Sequence, residues 1–165
     1  MTSVGHGQTS ASQITFIIKN AGIGVDGTFD KISVDYKFDP ENIDQSSFAV
    51  TIASTSINTG NKTRDKHLRK SKYFDVENYP NLTFKSARVE KTAEGYALHG
   101  DLTIKKTTRS VKIDFSIKKE GGKSFFQGAL ELDRRDYGVG RNHLILGDLV
   151  KIEIQVPYSE KGNSR

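Results

Sequence analysis

Ile32-Ser33-Val34-Asp35-Tyr36-Lys37-Phe38 places an apolar side chain at every second position and a polar one between. A strand turns successive side chains to opposite faces, so this stretch reads as a half-buried β-strand. The same period recurs outward in both directions. Upstream, Ile14, Phe16 and Ile18 share a face, and a short run over residues 25–29 follows them. Downstream come Phe48, Val50 and Ile52; Leu82 and Phe84; Tyr96, Leu98, Leu102 and Ile104; and Val111, Ile113, Phe115 and Ile117. Phe126, Leu130 and Leu132, then Val150, Ile152, Ile154 and Val156, complete a set of about nine strands. Turn signals separate them at Asn20-Ala21-Gly22, Asp39-Pro40-Glu41-Asn42, Glu94-Gly95, Gly121-Gly122 and Gly138-Val139-Gly140. The expectation is an all-β, antiparallel sandwich or up-and-down barrel. Gly100 and Gly128 fall on the apolar face, where glycine permits the sharp bend of a barrel or marks a bulge in a sandwich. Alternation alone leaves both open.

The chain has 165 residues, enough for one domain with one core, and 35 % of them are hydrophobic. It has no cysteine, which excludes disulfides, thiolate nucleophiles, iron–sulfur clusters and sulfur-ligated zinc. No run approaches the roughly 18 apolar residues of a membrane-spanning helix. Residues 1–13 and 159–165 are polar and read as disordered tails around a domain over residues 14–158. The N-terminal stretch has neither a basic start nor an apolar run, so no signal peptide is read in this chain.

The net charge of +5 is concentrated. Lys62, Arg64, Lys66, Arg69, Lys70 and Lys72 stand against Asp65 alone, and the rest of the chain is balanced. A neutral body with one basic segment points to a local anionic contact or to a solvated face. The strand rhythm also breaks here. Residues 63–71 lack alternation, are good helix formers and follow Asn61, with Thr63 a second candidate N-cap, so one or two helical turns are expected. Tyr73, Phe74 and Tyr79 come next, and a loop bearing three aromatics packs them against something.

Candidate chemistry is thin. His6, His67, His99 and His143 are isolated from one another and from carboxylates at any spacing that converges on a metal, so no metal site is read. Asp65, His67 and Ser71 have the residue types of a nucleophilic triad, but neither their order nor a Gly-x-Ser-x-Gly elbow supports one. Gly22-Ile23-Gly24-Val25-Asp26-Gly27 spells G-x-G-x-x-G, yet it leads into a strand, so there is no helix N-terminus to receive a pyrophosphate. The strands lack the exposed Lys and aromatic alternation of a base-stacking platform, and no nucleic-acid partner is expected.

Thr59-Gly60-Asn61, Arg64-Asp65-Lys66-His67-Leu68, Phe74-Asp75, Tyr79-Pro80, Thr83-Phe84-Lys85-Ser86 and Gly100-Asp101-Leu102-Thr103-Ile104 form an ordered set that resembles the bacterial YceI family of lipocalin-like, polyisoprenoid-binding proteins. Val25-Asp26-Gly27-Thr28-Phe29 and Asp136-Tyr137-Gly138-Val139-Gly140 extend the likeness to residues 14–158. Lys106 departs from it, since the family usually has a glycine in that turn. The resemblance implies an extended antiparallel lipocalin-like β-barrel of about eight strands with one short helical connection near residues 63–71. It also implies a bound isoprenoid lipid or quinone, no catalytic activity or cofactor, and export to the periplasm or secretion. The missing leader leaves a cytoplasmic place open.

With apolar faces inward, the expected bore wall is Phe16, Ile18, Phe29, Val34, Tyr36, Val50, Phe84, Leu98, Leu102, Phe115 and Leu130, each of which also reads as an ordinary core residue. Leu68 and Phe74 join this wall near the helical connection. At the mouth, Arg64 and His67 are expected to offer donors to a head group, with Asp65 orienting Arg64 and Tyr79 adding a hydroxyl. Arg64 and Asp65 read equally well as a structural ion pair and cap. The second functional reading is a basic interaction module. In it residues 62–72 meet anionic partners or a membrane surface, and the barrel is packed solid. The chain is expected to be a monomer or a homodimer.

Overall fold

The computed structural model describes residues 3–5, 12–140 and 146–159. His6 and His143 lie outside them, as do all but one residue of the C-terminal tail. The strands are β1 (Ser3–Gly5), β2 (Gln13–Asn20), β3 (Ile23–Phe29), β4 (Ile32–Phe38), β5 (Ser47–Ala53) and β6 (Ile57–Asn58), followed by helix α1 (Lys62–Leu68). After it come β7 (Asn81–Thr92), β8 (Gly95–Ile104), β9 (Thr107–Glu120), β10 (Lys123–Asp133) and β11 (Leu149–Tyr158). Every stretch read as a strand from its alternation is one. Two more strands are too short to show a period: β6, and β1, which pairs with β4 through Val4 and Lys37 although its composition is that of a tail.

All ladders are antiparallel and run in the order β1-β4-β5-β7-β8-β9-β10-β11-β2-β3-β6. The sheet curls back on itself because two of its strands are halves of longer ones. β3 bends at Asp30 and Lys31 into β4, and β5 turns through Ser54–Ser56 into β6. Counted that way, and leaving aside the three-residue β1 beside β4, eight strands follow one another around a barrel, closed where Phe29 of β3 pairs with Ile57 of β6. Across the other half, between β4 and the end of β11, side chains bridge the seam. Tyr36 packs on Tyr158 with ring centroids 6.4 Å apart, and the Ser159 N–H donates to the Tyr36 hydroxyl at 3.2 Å.

That half of the barrel is filled. Phe38 is fully buried, with Tyr96 at 5.2 Å and Phe126 at 5.3 Å, both edge-on. Phe48, Phe115 and Tyr158 extend the aromatic cluster, and such edge-to-face pairs add roughly 0.5–1.5 kcal/mol each beyond area burial. Gly100 serves a bulge: β7 shifts register between Ser86 and Arg88, beside the Ser86↔Gly100 pair, and the Phe84 ring lies across the bare Cα. Ala21 and Gly22 take positive φ in the β2–β3 hairpin, so the G-x-G-x-x-G sequence begins in a tight turn and runs on along β3. In the β8–β9 turn the positive φ falls on Lys105, at 58°, and its Nζ donates to the carbonyls of Ser71 and Gly138 at 3.2 and 2.9 Å.

Candidate ligand cavity

The half of the barrel away from the aromatic cluster is not filled by side chains. It holds two adjoining apolar lobes of about 140 Å³ each, with Ile14, Phe29, Leu82, Ile104 and Ile152 walling both. The inner lobe is bounded by Val34, Val50, Phe84, Leu98, Leu102, Phe115 and Leu130. The outer lobe lies under α1 and is bounded by Phe16, Ile18, Leu68 and Phe74. Phe74 packs edge-on against Phe29 at 5.7 Å, which explains why the connection after α1 carries aromatic rings. A barrel packed solid is therefore not what this chain builds.

Twelve of the thirteen wall residues expected from sequence line a lobe. Tyr36 does not; its ring belongs to the aromatic cluster that closes the far end. Ile14, Leu82, Ile104 and Ile152 have the same alternation parity as the residues chosen and share their walls.

The polar residues at the outer lobe are arranged differently from the expectation. Asn61 caps α1 by accepting from the Arg64 N–H at 3.0 Å. Asp65 is 6 % exposed and accepts from both the N–H and the hydroxyl of Thr59, at 3.0 and 2.6 Å. Arg64 lines the lobe and donates to Thr59, Nε to the hydroxyl at 2.8 Å and Nη2 to the carbonyl at 2.8 Å. Asp65 thus orients Arg64 through Thr59, and the bonds that hold the pair run through that residue. His67 is exposed and walls neither lobe. Tyr79 is half-buried and also outside both walls, where its carbonyl accepts from the Ser54 hydroxyl at 2.7 Å.

Sequence reading missed several polar wall residues, Thr59 and the buried Ser12 among them, and three of these at the outer lobe are Arg134, Tyr137 and Asn20. Arg134 is 4 % exposed, and its guanidinium donates to the carbonyls of Gly147 (2.8 Å), Val139 (2.9 Å) and Leu146 (3.1 Å) and to Asp148 Oδ1 (3.1 Å). In sequence, Arg134-Arg135 looks like two equivalent surface cations. Arg135 is the exposed one, bonded to Asp133, whose carboxyl is held below the usual carboxylate range by that contact. Tyr137 is buried beside Arg134, and burial pushes its hydroxyl pKa up. Asn20, at the end of β2, has its buried side-chain oxygen in the outer lobe without a hydrogen-bond partner. No histidine, aspartate or glutamate lines either lobe among the described residues. Such walls can hold an apolar chain and meet one polar end near α1 and Arg134.

Comparison with known proteins places the whole domain. The profile of YceI-like domains matches residues 7–158. A UPF0312 protein of Photorhabdus laumondii is 38 % identical over 95 residues, covering 58 % of this chain and 50 % of its own length. One from Pectobacterium carotovorum is 35 % identical over 109 residues, covering 66 % and 57 %. This chain therefore spans only 50 % and 57 % of those two relatives. Among solved structures, BcnA of Burkholderia cenocepacia superposes with a TM-score of 0.83 at 28 % identity, covering 90 % of this chain and 96 % of that one. A polyisoprenoid binding domain from Saccharophagus degradans, implicated in plant cell wall breakdown, has a TM-score of 0.70 at 16 % identity, covering 96 % and 97 %, a likeness of fold.

Proposed function

The chain belongs to the YceI-like domain family, and on that premise we propose that it is a non-enzymatic carrier holding the prenyl chain of an isoprenoid amphiphile, a quinone or a polyprenyl phosphate, in the two-lobed bore. The observation that carries the reading is the adjoining pair of apolar lobes, whose walls hold no acid or histidine among the described residues. Burial of about 0.8 kcal/mol per CH₂ gives roughly 4 kcal/mol per five-carbon unit, so two units reach the micromolar range before ordering is counted. No catalytic group is needed for that affinity.

Lobe size sets an expectation for length. A dry apolar cavity of about 150 Å³ accepts one benzene-sized group, so the two lobes as they stand match about two isoprene units. Longer chains displace wall side chains or run out past the mouth. The polar end then lies near Arg64, Arg134 and Asn20, and an extracytoplasmic place of work accompanies this role.

Native mass spectrometry after mild purification, with organic extraction of the bound material, tests the reading. Adding back quinones of increasing prenyl length should give retention that rises and then levels off, with little dependence on salt. Absence of retention at every length overturns the carrier role. Retention that collapses with ionic strength assigns binding to residues 62–72 instead. Arg64→Ala separates the head-group role from the structural one: loss of stability with unchanged retention leaves Arg64 structural.

A further inference from the structure

Three large apolar side chains are notably exposed among the described residues: Ile23 at 71 %, Leu149 at 57 % and Ile17 at 45 %. They do not scatter. They lie on β3, β11 and β2, which are consecutive in the sheet in the order β11-β2-β3. Each is one or two positions from a residue that walls the outer lobe: Ile23 from Val25, Leu149 from Val150, Ile17 from Ile18. This corner therefore carries apolar side chains on its inner wall, one at its rim, Ile23, which shares the parity of Val25, and two among charged residues on its outer face, Ile17 and Leu149, whereas the opposite half of the barrel is sealed by the aromatic cluster.

We propose that the β11-β2-β3 corner docks on an anionic lipid bilayer, with Ile23, Leu149 and Ile17 entering the interface while the ligand passes between bilayer and outer lobe. The proposal rests on the carrier reading and adds where the lipid surface is met. Charge supports that occupant. Lys19 is exposed on β2, and Lys151 stands directly opposite Ile17. On the other side of β3, β6 leads into α1, whose Lys62 and Lys66 are exposed and belong to the segment carrying the whole excess charge. Asp133 bonds Arg135 and Asp148 bonds Arg134, while Asp26 across from Ile17, Glu131 across from Lys151 and Glu153 on β11 balance the two strand lysines, so the net positive charge beside the corner comes from the α1 segment. A wedge of branched side chains flanked by lysines is the composition of a peripheral membrane contact, each lysine adding about fivefold in affinity for an anionic surface.

The test is flotation of the full chain with vesicles of phosphatidylcholine, with and without phosphatidylglycerol, alongside transfer of a quinone from those vesicles. Wild type should float with the anionic vesicles and take up quinone. Ile17→Thr/Ile23→Thr/Leu149→Thr, which keeps strand-forming residues, should bind on the order of tenfold to a hundredfold more weakly. It should take up quinone from vesicles correspondingly more slowly and still retain quinone delivered in detergent. Should the triple variant fail to fold, Ile23→Trp serves instead and should strengthen flotation. Vesicle binding unchanged in these variants, or absent in wild type, overturns the docking site. A wild-type dimer that the triple variant dissociates, with no flotation, assigns the patch to a second copy and likewise overturns it. Failure of both proteins to hold detergent-delivered quinone refutes the carrier reading itself.

Discussion

Arg134→Met removes a guanidinium that ties the turn after β10 to the segment before β11. Three backbone carbonyls, of Gly147, Val139 and Leu146, lose donors at 2.8–3.1 Å, and Asp148 loses one of two cationic partners, keeping Arg135 at 3.5 Å. Methionine fills the volume but satisfies none of them. Bonds from charged donors are worth about 1.5–3 kcal/mol each, and an orphaned buried acceptor costs roughly 1–3 kcal/mol. Asp148 is 44 % exposed and keeps both water and Arg135, so most of the loss comes from the three carbonyls, part of which water relieves. A net loss of about 3–4 kcal/mol follows. For a domain of this length that is a fall in Tm of roughly 10 °C. Arg134→Lys recovers little, since one ammonium cannot span acceptors that the planar fork reaches together. The assay is urea denaturation of both variants, followed by amide exchange at Val139, Gly140 and residues 146–148. A loss below about 1 kcal/mol for Arg134→Met, or exchange protection unchanged there, refutes the assignment of Arg134 as the tie across this turn.

Val50→Phe adds a ring to the inner lobe. Retention of a prenyl quinone should drop at least about tenfold while Tm stays within a few degrees, and unchanged retention would show that the ligand does not reach that lobe. Gly100→Ala places a Cβ 2.5 Å from the Phe84 ring and 2.5 Å from the Lys85 carbonyl; the ring can swing into the lobe but the backbone cannot yield, so about 1–3 kcal/mol should be lost in a melt. Asp30 accepts from Thr28 and Asn58 at 2.7 and 2.9 Å, and its carboxyl is held below its ordinary 3.8 chiefly by the Thr28 hydroxyl. A depressed carboxyl stabilises the fold above its unfolded value and loses that contribution as pH falls through the folded one. Asp30→Asn should therefore flatten the fall of Tm below about pH 4, and an unaltered acid limb would count against this clasp between β3 and β6.

Much of the barrel is legible in the sequence because alternation reports directly which side chains share a face. Ile32 to Phe38 decides a strand without outside help, and the wall residues follow by parity. Parity does not report where a face ends. Tyr36 alternates with the bore residues yet lies in the aromatic cluster, because the strand runs on past the cavity into the filled half. Nor does it distinguish Arg134 from Arg135, which differ only in what the next turn folds over them. The Arg64-Asp65 pair was visible as a motif, but its chemistry depends on Thr59, which sits six residues before Asp65 and has no spacing signature of its own. β1 and β6 are invisible for a simpler reason: strands of three and two residues carry no period.

The empty lobes themselves have a thermodynamic consequence. At about 24 cal/mol per Å³, each forgoes roughly 3 kcal/mol relative to a packed interior, so the pair forgoes an amount similar to the whole stability of many domains. The aromatic cluster at the closed end and the Arg134 ties at the other offset part of this. They brace the two ends of a barrel whose middle is left unfilled, which is where a bound chain would return dispersion contacts to the walls. Stability and occupancy are then linked: anything that fills the lobes in the folded state raises Tm by mass action. The unfilled lobe also lets Val50→Phe lower retention while Tm stays within a few degrees, whereas an ordinary packed core would lose stability to the added ring.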